Sequence, residues 1–145
     1  MDIQEVRELS DALLLALRAL TAELAPAASP LTRERLQEIV ASPSCRLLIA
    51  AASPGAEIAG MLILASYPIA SGRRCWIEDV VVAAAARGQG IGEALVRRAI
   101  ELARAAGAAS VDLTSRPSRE SANRLYLRLG FERRETNVYR LTLGQ

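Results

Sequence analysis

The apolar positions of the chain change their spacing several times, and each spacing predicts a different element. Ile3–Glu8 is typical of a short first strand. Leucines then recur at helical spacing over residues 13–24, after Ser10 and Asp11, which are favourable N-cap residues. Prolines end this helix, and Thr32 is placed to cap a second one. The beginning of the chain is therefore predicted to be a strand followed by two helices.

The middle of the chain changes to strand-like runs. Cys45–Ala52 and Glu57–Ser66 are short apolar runs separated by a Ser-Pro-Gly turn, which predicts a β-hairpin. Trp76–Val82 is rich in β-branched residues and is the most strand-like stretch of the chain. Helical spacing returns over residues 92–106, and Gly107 stands where a C-terminal cap belongs.

The last third of the chain predicts a strand, a helix and closing strands. Ser110–Thr114 is typical of a strand, and Ser118–Leu129 of a helix that Gly130 ends. Phe131–Leu143 is expected to hold one or two short strands. The alternation of strands and helices favours an α/β domain with a mixed sheet. Because no repeat or linker interrupts it, we expect a single domain over residues 1–145.

Two absences in the composition exclude whole classes of chemistry. All 18 basic residues of the 145 are Arg, and there is no His. Ser-His-Asp triads, Cys-His pairs, His-liganded metals, Lys Schiff bases and the Lys-dependent phosphate loop are therefore excluded. The net charge of +2 and the 3% of aromatic residues argue against a nucleic-acid partner. Since no apolar run reaches the roughly 18 residues of a membrane span, we expect no membrane association and a cytoplasmic location.

A glycine-rich turn between the best strand and the best helix is the first candidate site. Residues 87–92 read Arg-Gly-Gln-Gly-Ile-Gly. Glycines let backbone amides approach an anion, and the following helix start adds its positive dipole end, so phosphate is the natural ligand. A dinucleotide fingerprint fails because its third Gly falls at Glu93. A turn without any ligand remains the alternative.

Two motifs resemble those of the GNAT-type N-acetyltransferases. The turn matches that family's [Gln/Arg]-x-x-Gly-x-[Gly/Ala] motif, and the last helix is similar to its late-helix signature. The matching residues are, for the turn, Arg87, Gly90 and Gly92, and, for the helix, Ala122, Leu125, Tyr126, Gly130 and Phe131. The resemblance implies a mixed, mostly antiparallel sheet of six to seven strands with about four helices, splayed between strands 4 and 5. Arg119 departs from the family pattern, which often has Asn there.

The resemblance also implies a ligand and the residues that bind it. Members of the family bind acetyl-CoA as co-substrate, without a metal. The turn would hold the pyrophosphate, and the backbone of the fourth strand would pair with the pantetheine arm like an added strand. The cofactor-binding residues implied in this way are Val80, Val81, Val82, Arg87, Gly88, Gln89, Gly90, Ile91, Gly92 and Glu93.

The reaction that the resemblance implies needs a base. An alkylammonium has to lose a proton before its nitrogen attacks a thioester, and without His a carboxylate is the candidate. Glu78 matches the position where many family members have such a carboxylate. Glu78 and Asp79 are neighbours in a strand and are expected on opposite faces, so Asp79 remains a second candidate. The structural alternative is an ion pair of Glu78 with Arg73 or Arg74.

Tyr126 stands where the family has the acid that protonates the leaving thiolate, and its alternative role is packing on the helix. The resemblance therefore implies acetyl transfer to an amine of a small molecule or peptide through a ternary complex. A catalytically silent acyl-CoA sensor on the same fold is the alternative. A homodimer is expected from the resemblance.

Overall fold

The computed structural model describes residues 1–144, which form five strands, four α-helices and one short 3-10 helix. The chain forms two compact units, of which the first comprises Met1–Thr114 and the second begins at Ser115. The single domain expected over residues 1–145 stays a prediction. The elements are β1 (Asp2–Glu5), α1 (Asp11–Leu24), α2 (Arg33–Ala41), β2 (Cys45–Ala51), β3 (Ile58–Ile69), β4 (Gly72–Val82), the 3-10 helix (Ala84–Ala86), α3 (Ile91–Ala105), β5 (Val111–Asp112) and α4 (Glu120–Arg128).

The five strands form one mixed sheet in the order β1-β2-β3-β4-β5. All neighbouring pairs are antiparallel except β4 and β5, which are parallel. The β4–β5 pairing comprises only two residue pairs, Cys75 with Val111 and Trp76 with Asp112. Beyond Trp76, β4 therefore continues without a strand partner on its β5 side in the described part of the chain.

The predicted number of strands was wrong. Five strands replace the expected six to seven, because the described residues from Phe131 onward contain no strand. Val138, Tyr139 and Leu141 are each at least 75% exposed. A strand needs a neighbour for its backbone groups as well as an apolar face, and the pattern of residues reports only the face.

The first face of the sheet is covered by α1 and α2. Ser10 and Thr32 cap these helices, as predicted, by accepting hydrogen bonds from the amides of Leu13 and Arg35, each at 3.1 Å. The helices bury leucines against inward-facing residues of three strands. This core cluster consists of Leu13, Leu14, Leu17, Leu20, Leu36, Leu47, Met61, Ile63 and Val81.

The opposite face of the sheet is packed against α3. A Cβ added to Gly60 of β3 would lie 2.9 Å from Ile91 Cγ2 and 3.1 Å from Leu95 Cδ1. Real Cβ atoms essentially never approach so closely, so Gly60 allows α3 to rest directly on the strand. This packing fixes the start of α3 beside the end of β4.

The second unit contains α4 and the residues that end it. Gly130 has φ of +94° and follows the helix, as expected for a left-handed stop. The amide of Phe131 donates to Tyr126 O at 3.0 Å. The rings of Tyr126 and Phe131 pack edge to face with centroids 5.8 Å apart.

Candidate active site

A β-bulge interrupts β4 at the candidate base. Ile63 is opposite Glu78 and Met61 is opposite Val81, so one residue of β3 faces two residues of β4. Asp79, within this bulge, has φ of +51° and is the one non-glycine residue with positive φ among residues 1–144. The strand alternation expected for Glu78 and Asp79 therefore stops at Glu78. It no longer decides the direction in which Asp79 points.

The end of β4 presents backbone groups at an open edge. The amide of Ala83 donates a hydrogen bond to the carbonyl oxygen of Ala59, which lies in β3, at 2.8 Å. Since hydrogen-bonded pairs alternate along an antiparallel ladder, Val81 also turns its backbone groups toward β3. The backbone groups of Val80 and Val82 then point to the other side, where β5 has already ended. An extended ligand can add there like a strand.

The glycine turn joins this open edge to α3. Gly88 and Gly90 have φ of +78° and +81°, and a Cβ built on either meets no atom within 4 Å. Gly90 is the N-cap of α3, and no side chain of the described residues caps that helix. Ser10 and Thr32, in contrast, cap α1 and α2. The helix start therefore offers its amides and its positive dipole end, and the space that side chains would fill stays open to a phosphate.

Glu23 of α1 fixes the segment that precedes the turn. Its Oε2 accepts a hydrogen bond from the amide of Ala84 at 3.0 Å and lies 3.7 Å from Arg87 Nη2. Arg87 Nε also donates to Val82 O at 3.4 Å. Arg87 is thus turned back toward the end of β4. The sequence analysis missed Glu23, because a Glu on the polar face of an amphipathic helix carries no signal of its own.

The carboxyl groups of Glu78 and Asp79 are both harder to ionise than ordinary acids. Partial burial raises the pKa of Glu78, and the neighbouring charge of Asp79 raises it further. Burial also raises the pKa of Asp79. Among residues 1–144, neither carboxylate forms an ion pair with Arg73 or Arg74, and Arg73 instead donates to Ser66 Oγ at 3.2 Å. The alternative role of Glu78 as a surface ion-pair partner is therefore not what the structure shows.

Tyr126 lies on α4 in the second unit. It is buried, and this burial raises the pKa of its phenol, while the nearby charge of Arg119 lowers it in part. Asn123, on the same helix, donates a hydrogen bond from its Nδ2 to Arg116 O at 3.0 Å, in the segment before α4. A phenol that stays protonated at neutral pH is a competent proton donor.

The first unit brings most of the predicted residues together. Glu78 and Val80–Val82 lie on β4, and Arg87–Glu93 form the turn and first residues of α3. Their roles as base and cofactor-binding residues stay predictions. Within the described residues, no group of three Cys, Asp or Glu side chains is arranged as metal ligands. None of the helices described is long and apolar enough to cross a membrane.

A strand edge without a strand partner leads into an uncapped, glycine-rich helix start, an arrangement compatible with an extended ligand that carries phosphates. The Acetyltransferase (GNAT) family matches residues 13–131. The chain therefore belongs to the GNAT family of acetyltransferases.

The chain is also similar to individual proteins of known sequence or structure. Glucosamine 6-phosphate N-acetyltransferase 1 of Oryza sativa subsp. japonica is 38% identical over 96 residues, which are 61% of this chain and 58% of that protein. A transcriptional regulator from Bacillus halodurans C-125 has 31% identity and a TM-score of 0.81, covering 97% of this chain and 99% of the other. AAC(6')-Iy, in complex with the bisubstrate analog CoA-S-monomethyl-acetylneamine, shares the fold at 18% identity, with a TM-score of 0.78 over 99% and 98% of the two chains.

Proposed function

We propose that the chain transfers the acetyl group of acetyl-CoA to an amine within a ternary complex. The observation that carries the proposal is the continuous path from the open edge of β4 at Val80 and Val82 to the uncapped start of α3. A thioester cofactor with an extended arm and a pyrophosphate fits that sequence of backbone groups. The solved neighbour that holds a CoA bisubstrate analog has the same fold, which agrees with this choice of ligand.

The cofactor site is proposed to work mainly through the backbone. The amides of Gly88–Glu93 would bind the pyrophosphate, and Arg87 would have to turn away from Glu23 and Val82 O to add its positive charge beside them. The backbone of Val80–Val82 would hold the pantetheine arm and polarise the thioester carbonyl, as an oxyanion hole does. Side chains at these positions matter less than the conformation of the chain, so three valines are compatible with the role.

The acceptor amine supplies the nucleophile. Its nitrogen attacks the thioester carbon, so that a C–N bond forms and the C–S bond breaks. Glu78 is proposed to take the ammonium proton, for which its raised pKa brings it nearer to neutral pH. Tyr126 is proposed to give a proton to the departing thiolate, with support from its motif position and its raised pKa. The second proton that the nitrogen loses on becoming an amide restores the phenol.

A thiol-release assay with acetyl-CoA against a panel of amines tests the proposal. Because the rice relative is named for glucosamine 6-phosphate, the panel should include that compound beside polyamines, amino acids, aminoglycosides and peptides with free amines. We expect acetyl-CoA binding and amine-dependent thiol release. Calorimetric binding of acetyl-CoA without turnover of any amine would favour the silent acyl-CoA sensor instead.

A further inference from the structure

One face of the β3–β4 hairpin carries two aromatic side chains next to Glu78. Directly opposite residues of antiparallel strands project from the same face of the sheet. Along the hairpin, the opposite pairs are Ile63 with Glu78, Ala65 with Trp76, and Tyr67 with Arg74. Since Ile63 belongs to the core beneath α1 and α2, all these side chains lie on that side of the sheet. We call Tyr67, Arg74, Trp76 and Glu78 the hairpin face.

The aromatic residues of the hairpin face lie where the apolar core ends. Ile63 is fully packed, whereas the next residue on that face, Ala65, is small and half-buried. Trp76, opposite Ala65, and Tyr67 are half-buried too. The whole chain has only one Trp, three Tyr and one Phe, and two of these few rings project from one face of the hairpin, with Trp76 two positions from the candidate base. Half-buried rings offer a flat apolar surface to a ligand.

Arg74 ends the hairpin face with an available charge. It is exposed, and its side chain has no hydrogen bond or ion pair within residues 1–144. Its neighbour Arg73 points to the opposite face and bonds Ser66. Arg74 and Glu78 are about 13 Å apart along β4, and Trp76 lies midway between them on the same face.

We propose that the hairpin face is the acceptor site and selects an amine carried on a ring that also bears an anionic group. This inference rests on the proposed acetyl transfer. The amine is presented to Glu78, one face of the ring packs on Trp76 and Tyr67, and the anion pairs with Arg74. An amino sugar phosphate has this chemistry. A linear alkylamine lacks both the ring and the anion.

Because Trp76 is the single tryptophan, its fluorescence reports directly on the proposed contact. Glucosamine 6-phosphate is titrated into the wild-type protein without acetyl-CoA, next to glucosamine and 1,6-diaminohexane. We expect a saturable change in fluorescence with glucosamine 6-phosphate, a weaker response to glucosamine, and none to the diamine. Equal responses to all three compounds, or no response to glucosamine 6-phosphate, would overturn the assignment.

Kinetics of single variants test the same contacts without fluorescence. Trp76→Leu is expected to raise KM for glucosamine 6-phosphate about tenfold, and Trp76→Phe to restore most of the loss. Arg74→Gln is expected to raise KM about tenfold for glucosamine 6-phosphate but less than about twofold for glucosamine. Arg73→Gln is the matched control, because it removes the same charge from the opposite face. Equal effects of the two Arg variants would contradict the proposal.

The two hypotheses fail in different ways. If no amine gives thiol release, the proposed acetyl transfer is wrong, whatever the fluorescence shows. If linear amines are acetylated as well as ring amines and Trp76→Leu leaves their KM unchanged, acetyl transfer stands and the hairpin face is not the acceptor site. Circular dichroism of each variant shows whether it is folded, and Trp76→Phe and Arg74→Gln test the site if Trp76→Leu does not fold.

Discussion

The folded chain makes the carboxyl group of Glu78 harder to ionise. Burial and the charge of Asp79 raise its pKa above that in the unfolded chain. The folded protein therefore binds more protons in the interval between the two pKa values, and the free energy of unfolding falls as the pH rises through that interval. A carboxyl group with a raised pKa and no ion pair among the described residues is a candidate for a functional role.

Replacing Glu78 by Gln should lower activity without lowering the stability of the folded chain. We expect kcat to fall about 100-fold or more, because a positioned base contributes at least that much. The free energy of unfolding near neutral pH should change by less than about 0.5 kcal/mol or increase, and its decrease with pH should become smaller. Thiol release and urea unfolding across the acidic and neutral range measure both.

The pH dependence of kcat/KM separates Glu78 from other candidate bases. In the wild type, kcat/KM should rise with pH as Glu78 ionises at its raised pKa, and this acidic limb should be lost in Glu78→Gln. Glu57→Gln, which changes an exposed carboxylate just before β3, should keep it. An acidic limb that persists in Glu78→Gln would assign the base to another group, with Asp79 as the next candidate.

At the scale of elements, the conformation of the β4–α3 connection matters more than its side chains. A bulge interrupts β4 at Asp79, and Glu23 accepts a hydrogen bond from the amide of Ala84 at the start of the 3-10 helix. Gly88 and Gly90 turn the chain with positive φ. In a left-handed residue, a β-branched side chain costs about 1–2 kcal/mol and also projects into the space where a phosphate would lie.

Gly90→Val should therefore weaken acetyl-CoA binding beyond what its effect on the stability of the chain explains. We expect the dissociation constant measured by calorimetry to increase at least about tenfold, because the Val side chain blocks the approach to the amides. Gly55→Val is the matched control, since Gly55 has a similar φ of +79° and no atom within 4 Å of its built Cβ, but lies in the turn between β2 and β3. Equal loss of affinity in both variants would indicate a general effect of strain.

The sequence predicts correctly those elements whose signals act over a few neighbouring residues. The capped starts of α1 and α2, the Trp76–Val82 part of β4 and the turn into α3 were predicted correctly, since caps, glycines and β-branched runs act within a few residues. The start of β4 at Gly72 was not predicted. The bulge at Asp79 was not predicted, because it depends on the register against β3. The closing strands expected over Phe131–Leu143 were wrong, because pairing requires a partner that the residue pattern does not specify.

At the scale of the whole molecule, the absence of Lys and His agrees with the chemistry of the family. Direct acyl transfer takes its nucleophile from the acceptor and binds its cofactor through backbone amides, so it requires neither residue. The candidate site follows from the family motif and the composition, whereas the hairpin face needed the register of β3 and β4. The homodimer and the cytoplasmic location stay predictions.

The backbone of the β4–α3 connection is proposed to bind acetyl-CoA. The most direct test is to titrate acetyl-CoA into the ¹⁵N-labelled protein and follow its amide resonances. We expect saturable shifts of Val80–Val82 and Gly88–Glu93, with the resonance of Gly55 unmoved. Binding that shifts other amides and leaves these in place, or no saturable binding at all, would show that this backbone does not bind the cofactor.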